Sequence, residues 1–218
     1  MEKVIVVTGH YGSGKTNLSL NLALLARESG ENVTLCDLDI VNPYFRTADF
    51  KEIAREKGIK LLASDYANSS LDIPSLSGGL EPAINGGGRV IIDVGGDDTG
   101  AVALGRYAES IRQNPYTMLY VINKYRYLME APTDAARLLA EIEKTSRLTV
   151  THIANCSNLG AETAAGDVIK SLAYAEEVSK LSGKPVLFTA VDKRIAGELT
   201  GFGDVFSVGV YVKPPWDK

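Results

Sequence analysis

The chain has only two cysteines, Cys36 and Cys156, and two histidines. The cysteines lie far apart in apolar runs and no CxxC pair occurs. Zinc and iron–sulfur centres therefore have no sequence signature, and the two thiols are expected to be buried and reduced. Long apolar runs are missing, since none approaches the roughly 20 residues that span a bilayer. The first residues, MEKVIVVTG, carry no cationic segment followed by an apolar stretch of signal-peptide length. A cytoplasmic protein without a membrane helix is expected. An excess of positive charge is missing too: 23 basic against 27 acidic residues leave a formal charge of −4. Such a chain has no general attraction to nucleic acid or anionic lipid.

What is present is a regular alternation of short β-branched runs and longer helical patterns. Strands are expected at Lys3–Thr8, Asn32–Asp37, Ile59–Ala63, Arg89–Asp93, Tyr116–Asn123, Leu148–Asn155, Pro185–Ala190 and Val205–Val212. Helices are expected at Thr16–Ser29, Thr47–Lys57, Leu80–Ile84, Gly100–Gln113, Pro132–Thr145, Glu162–Ser182 and Arg194–Leu199. The run 64–88 reads as loop-rich. No stretch looks like a linker, so residues 1–218 read as one domain. The alternation implies an α/β fold, a mostly parallel sheet of about seven to eight strands with helices on both faces. Ligands of such sheets sit at the carboxyl ends of the strands.

Three motifs fall at such ends. Gly9-His10-Tyr11-Gly12-Ser13-Gly14-Lys15-Thr16 matches G-x-x-x-x-G-K-[ST], a phosphate-binding loop. Its glycines let backbone N–H groups converge on phosphate oxygens, and the helix that follows adds its positive end. Lys15 is expected to reach the β- and γ-phosphates, with the Thr16 hydroxyl on Mg²⁺. His10, Tyr11, Ser13 and Asn17 complete the nucleotide-contacting stretch. The second motif, CDLDIVNP, puts Asp37 and Asp39 at a strand end, where one carboxylate can face a metal-bound water and the other the γ-phosphate region. In the third, VIIDVGGDD, an apolar strand ends in Asp93, whose carboxylate holds Mg²⁺ directly or through water. The glycines beyond form a loop able to sense the γ-phosphate, and Asp97 is expected to hold that loop or a water.

Base recognition is carried by fewer residues. Asn123-Lys124-Tyr125-Arg126 is similar to the guanine-reading NKxD, but Arg126 stands where an Asp must accept from guanine. It reads as a strand end with solvated charges. Asn155, at a later strand end, can both accept and donate, which suits an adenine edge. His152 is expected to be structural.

Over most of its length the chain resembles the ParA/MinD/nitrogenase-iron-protein class of P-loop ATPases, the CobQ/CobB/MinD/ParA nucleotide-binding domain. The carriers are HYGSGKT beside the family's KGGxGK[ST], CDLDIVNP beside its first switch, IIDVGGDDTG beside its second, and THIAN beside its base-contacting strand. LFTAVDKR is similar to the late loop over adenine, with Val191-Asp192 in the Pro-Asp place. The resemblance implies a three-layer P-loop NTPase fold, ATP and Mg²⁺ as cofactors, and Asp39 orienting the attacking water. It further implies Asp37 supporting the metal and Asp93 as the Walker B acid. The family's signature lysine falls at His10 and its next glycine at Tyr11, so a slow basal ATPase is expected. A homodimer, if formed, would not depend strictly on ATP. The implied role is a nucleotide-dependent switch or maturation factor for an unidentified protein partner. The alternatives are an ATP-dependent ligase of the dethiobiotin or cobyrinic acid synthetase type, and a nucleotide-binding regulator with negligible turnover.

Overall fold

The computed structural model describes residues 1–38, 48–63, 79–96 and 98–212. In chain order the elements are β1 (Val4–Gly9), α1 (Lys15–Glu28), β2 (Val33–Leu38), α2 (Ala48–Glu56), β3 (Lys60–Ala63), α3 (Leu80–Asn85), β4 (Arg89–Val94), α4 (Asp98–Gly105), α5 (Ala108–Arg112), β5 (Tyr116–Ile122), α6 (Pro132–Ser146), β6 (His152–Asn155), α7 (Ala165–Ser182), β7 (Val186–Asp192) and β8 (Val205–Val208). Short 3₁₀ turns occupy Gly160–Glu162 and Ala196–Leu199.

The strands form one eight-stranded sheet in the order β3-β2-β4-β1-β5-β6-β7-β8. Every pairing is parallel. A parallel sheet needs helices on both faces, so its inner strands read as continuous apolar runs. β1, VIVVTG, is buried at every position. Val4 and Val6 pack with Cys36, Ile92, Met118 and Tyr120 against the face covered by Leu104, Ile111 and Leu139. Ile5 and Val7 pack with Leu35, Ile91, Leu119 and Val121 against Leu18, Leu22 and Ala26 of α1. The fold is thus a three-layer α/β sandwich with β1 in its interior. No helix among the described residues is long and apolar enough to cross a membrane.

The helix expected at Arg194–Leu199 is a 3₁₀ turn and the one expected from Glu162 begins at Ala165; three further differences have a visible cause. The helix expected over Gly100–Gln113 is two helices, because Arg106 N and Tyr107 N bond Ala103 O and Leu104 O in tight i→i+3 turns. Gly105 lies there against Thr145 at the end of α6. The strand expected from Leu148 begins at His152. Ahead of it the backbone N–H groups of Leu148, Thr149 and Val150 donate to Ser146 Oγ, Tyr116 Oη and Glu143 Oε1. The last strand ends at Val208 and not at Val212, because the chain beyond it turns onto α1 through bonds described below.

Candidate functional site

The glycine-rich loop joins the carboxyl end of β1 to α1. Gly14 caps the helix at φ +100 and ψ 13, a left-handed conformation that costs a side-chain-bearing residue. Beneath it lies Cys156, whose Cβ is 3.7 Å from where a Gly14 Cβ would stand. Both cysteines are buried free thiols, and burial pushes the Cys156 thiol up to about 12. Lys15 is buried at 6% exposure and its Nζ donates to His10 O at 2.9 Å. Ser13 Oγ and Asn123 Nδ2 are, among the described residues, buried side-chain atoms with no hydrogen-bond partner. Asn123 follows β5, and Ser13 lies in the loop that follows the neighbouring β1, for Gly9 of β1 is in register with Val121 of β5. An unmatched buried polar atom costs about 1–3 kcal/mol, which is recovered by a ligand that bonds it.

The carboxylates come from the other side of β1. Val7, Asp93 and Asp37 lie in one register row across β1, β4 and β2. In-register residues of parallel strands project to the same face, which here is the face carrying α1. Asp93 is buried at 4% exposure and accepts from Ser19 Oγ of α1 at 3.2 Å. Burial, and then the charges of Asp37 and Asp93, push the Cys36 thiol upward. Among the described residues no cluster of three or more His, Cys, Asp or Glu could hold a metal by itself. This donor set, two carboxylates and the Thr16 hydroxyl at the start of α1, fits Mg²⁺. That ion takes one or two protein carboxylates and completes its shell with phosphate oxygens and water. Asp39 and Asp97 lie outside the described residues.

Two loops flank the glycine-rich loop. After β4, Gly96 is in contact with it: a Cβ on Gly96 would stand 2.5 Å from Tyr11 N and 2.8 Å from Lys15 Nζ. After β5, the Arg126 side chain lies over Gly12, with Nε 3.6 Å and Cζ 3.8 Å from a Gly12 Cβ position. Arg126 is exposed, as expected for a charge at a strand end, and its place beside Gly12 is the added finding. His10 sits among these cations. Burial, and then the Lys15 and Arg126 charges, lower its pKa, and the hydrogen bond of Nδ1 with Tyr11 O opposes them only in part. Tyr11 is 54% exposed.

The amides assigned to the base occupy varied settings. Asn155 is fully buried. Its Nδ2 donates to Ser171 Oγ at 2.9 Å and Thr189 Oγ1 at 3.5 Å, and its Oδ1 accepts from Ser157 N and Oγ. A base contact from Asn155 requires exchanging one of these bonds. Asn123 Oδ1 accepts from Tyr125 N and Asn158 N, which leaves its Nδ2 as the unmatched donor. Val191 belongs to β7 itself and packs with Val168 and Leu199. Asp192 accepts from Arg194 N and Nε at 2.9 and 2.7 Å. Burial raises the Asp192 pKa, but these two bonds and the neighbouring cations outweigh it and leave the net shift downward. His152 bonds Thr151 Oγ1.

Asn17 works on the far end of the chain. Its Nδ2 donates to Gly209 O at 2.9 Å, and its Oδ1 accepts from Tyr211 N at 2.8 Å and Val212 N at 3.3 Å. Asn21, one turn on, donates from Nδ2 to Asn17 O and Gly209 O and accepts from Gly209 N. The clamp and the position of Arg126 both escape sequence reasoning. The signal for Arg126 is strand order, because β5 lies beside β1, and strand order is not written in any local pattern.

The family model described as CobQ/CobB/MinD/ParA nucleotide binding domain matches residues 4–186. No curated protein matches the chain. Among solved structures, the chain is similar to the 54 kDa signal recognition particle protein of Aeropyrum pernix K1 in complex with GDP. That match has 18% identity and a TM-score of 0.59, over 97% of this chain and 43% of the other. It is also similar to the cell division protein FtsY of Thermotoga maritima, at 23% identity and a TM-score of 0.54, over 86% of this chain and 61% of the other. The signal recognition particle receptor FtsY of Elizabethkingia anophelis in complex with GDP follows at 19% identity and a TM-score of 0.51, over 88% and 57%. The chain thus spans about half the length of these structures, and at such identities the likeness is one of fold.

Proposed function

Because the chain belongs to the CobQ/CobB/MinD/ParA nucleotide-binding family, we propose that it is a Mg²⁺-dependent ATPase whose nucleotide state sets the loops around the phosphate site and so controls a protein partner. The observation that carries this reading is the contact between Gly96 and the Lys15 ammonium. A phosphate drawn to Lys15 must either bond the loop after β4 or displace it. Binding and loop position are then one event, which is what a switch requires. The half-exposed Tyr11 stands beside that contact, where a partner can feel the change.

The proposed chemistry is water attack on the γ-phosphate, achieved by positioning and charge neutralisation. Lys15 and the N–H groups from Gly9 to Thr16 bind phosphate oxygens, with Ser13 Oγ as a further donor. Thr16, Asp93 and Asp37 hold the metal, which when bound neutralises charge on the phosphate chain. Asp39 orients the attacking water and Asp97 supports the loop after β4. Adenine is preferred because Arg126 stands where a guanine-reading Asp would be. Asn155, Val191 and Asp192 form the adenine side of the site, and Asn17 lies at its edge.

Calorimetry with ATP and Mg²⁺ tests the site. Lys15→Ala removes a charge-assisted contact of roughly 1.5–3 kcal/mol, so affinity should fall about ten- to a hundredfold. Binding equal to wild type refutes the phosphate site. Competition between ATP and GTP for one fluorescent analogue tests the base, and a clear win for GTP refutes adenine. Sedimentation with and without ATP tells whether the partner is a second copy of the chain.

A further inference from the structure

The turn after β5 is itself held in place, and it carries the exposed Arg126. Arg126 N bonds Asn123 O and Met129 N bonds Arg126 O. On either side the turn is pinned. Lys124 N donates to Ser157 Oγ, Tyr125 Oη donates to Asp167 O, and Tyr174 Oη donates to the carbonyl of the buried Met129. The turn carrying Arg126 is thus tied to two other parts of the fold, the segment after β6 and α7. Its side chain extends to Gly12, with Nε, Cδ and Cζ all within 3.8 Å of the Gly12 Cβ position.

No carboxylate pairs with this guanidinium among the described residues. The arginines whose ion pairs are resolved, such as Arg89 with Glu31 and Arg194 with Asp192, sit elsewhere. Arg126 instead faces the loop that already carries Lys15, and both cations disfavour the charged form of His10. An anion held in that loop is attracted by both cations. A guanidinium is suited to phosphate, since its fork of N–H donors matches two phosphate oxygens at once.

We propose that Arg126 binds the phosphate chain of a nucleotide held in the loop Gly9–Thr16 of the same chain, as a second cation beside Lys15. This rests on the nucleotide reading above. It makes the phosphate site complete within one chain, with one cation from α1 and one from the turn after β5.

The test is a titration of methylanthraniloyl-labelled ADP and ATP against wild type, Arg126→Ala and Arg126→Lys, repeated over a salt series. Arg126→Ala should bind both nucleotides about tenfold more weakly and with a shallower salt dependence. Arg126→Lys should recover part of the loss, and all three proteins should melt alike. Unchanged affinity in Arg126→Ala overturns the inference. So does an equal loss in both variants together with a lower melting temperature, which would make Arg126 a brace of the turn. If wild type binds neither nucleotide, the nucleotide reading itself fails, and the inference with it.

Discussion

Gly96 leaves no room for a side chain between itself and the glycine-rich loop: a Cβ there would stand 2.8 Å from Lys15 Nζ and 2.6 Å from Tyr11 Cα. The Tyr11 atoms are backbone and cannot swing aside. Gly96→Ala therefore forces the loop after β4 away from the glycine-rich loop. Overpacking of this kind costs about 1–3 kcal/mol. The melting temperature should drop, and phosphate release from ATP should slow. A variant that melts and turns over like wild type would show that the two loops do not touch in solution.

Asp93→Asn keeps the volume and an oxygen that still accepts from Ser19 Oγ, now 3.2 Å from Asp93 Oδ1, but removes the charge. In the presence of Mg²⁺ its ATP affinity should be about tenfold lower than wild type, as for a lost charge-assisted contact. With EDTA the two proteins should bind alike. An equal loss in both conditions would place Asp93 in packing and not at the metal.

Asn21 is 8% exposed and bonds both backbone groups of Gly209. Asn21→Ala leaves the half-buried Gly209 N–H without its acceptor, at a cost of about 0.5–1.5 kcal/mol. Amide hydrogen exchange at Gly209 and Tyr211 should accelerate in the variant, while amides of β1 keep their protection relative to global unfolding. Unaltered exchange at Gly209 would mean that Asn17 alone holds this segment.

Glu31 receives Arg89 Nε and Nη2 on its two oxygens, each at 2.8 Å. The Arg89 hydrogen bonds hold the Glu31 carboxyl below its ordinary value of 4.5, against a smaller opposing effect of burial. A carboxyl whose pKa is depressed on folding stabilises the fold fully above its unfolded value, and that stability is lost as pH falls through the folded value. Wild type should therefore out-melt Glu31→Gln at pH 7, by an amount set by a pair worth about 1 kcal/mol or less. The gap should close as pH drops below the ordinary value. A gap independent of pH would assign the effect to packing instead.

The parts of this protein visible in its sequence are those whose cause is local. β1 and β4 carry the apolar runs Val4–Val7 and Val90–Ile92 because both faces are covered, and the glycine-rich loop is one contiguous string. Asp93 is marked by the apolar residues before it. Where the cause is distant, local pattern says little. The residues from Leu148 to Val150 have the composition of a strand, yet their N–H groups find side chains such as Glu143, placed there by α6. Asn155 stands at a strand end as expected, but its amide is shared with Ser171 and Thr189, 16 and 34 residues away in sequence. Arg126 looks like any charged loop residue until β5 is seen beside β1.

The clamp of Asn17 and Asn21 on Gly209–Val212 gives the site an optical handle. Asn17 is two positions beyond Lys15, and its amide holds Tyr211 N at 2.8 Å. Tyr211 itself is 37% exposed. A solvent-sensitive dye introduced at that position would sit beside the first turns of α1 without altering any residue from Gly9 to Thr16. Its emission would follow movements of the start of α1 in real time, from the opposite terminus of the described chain.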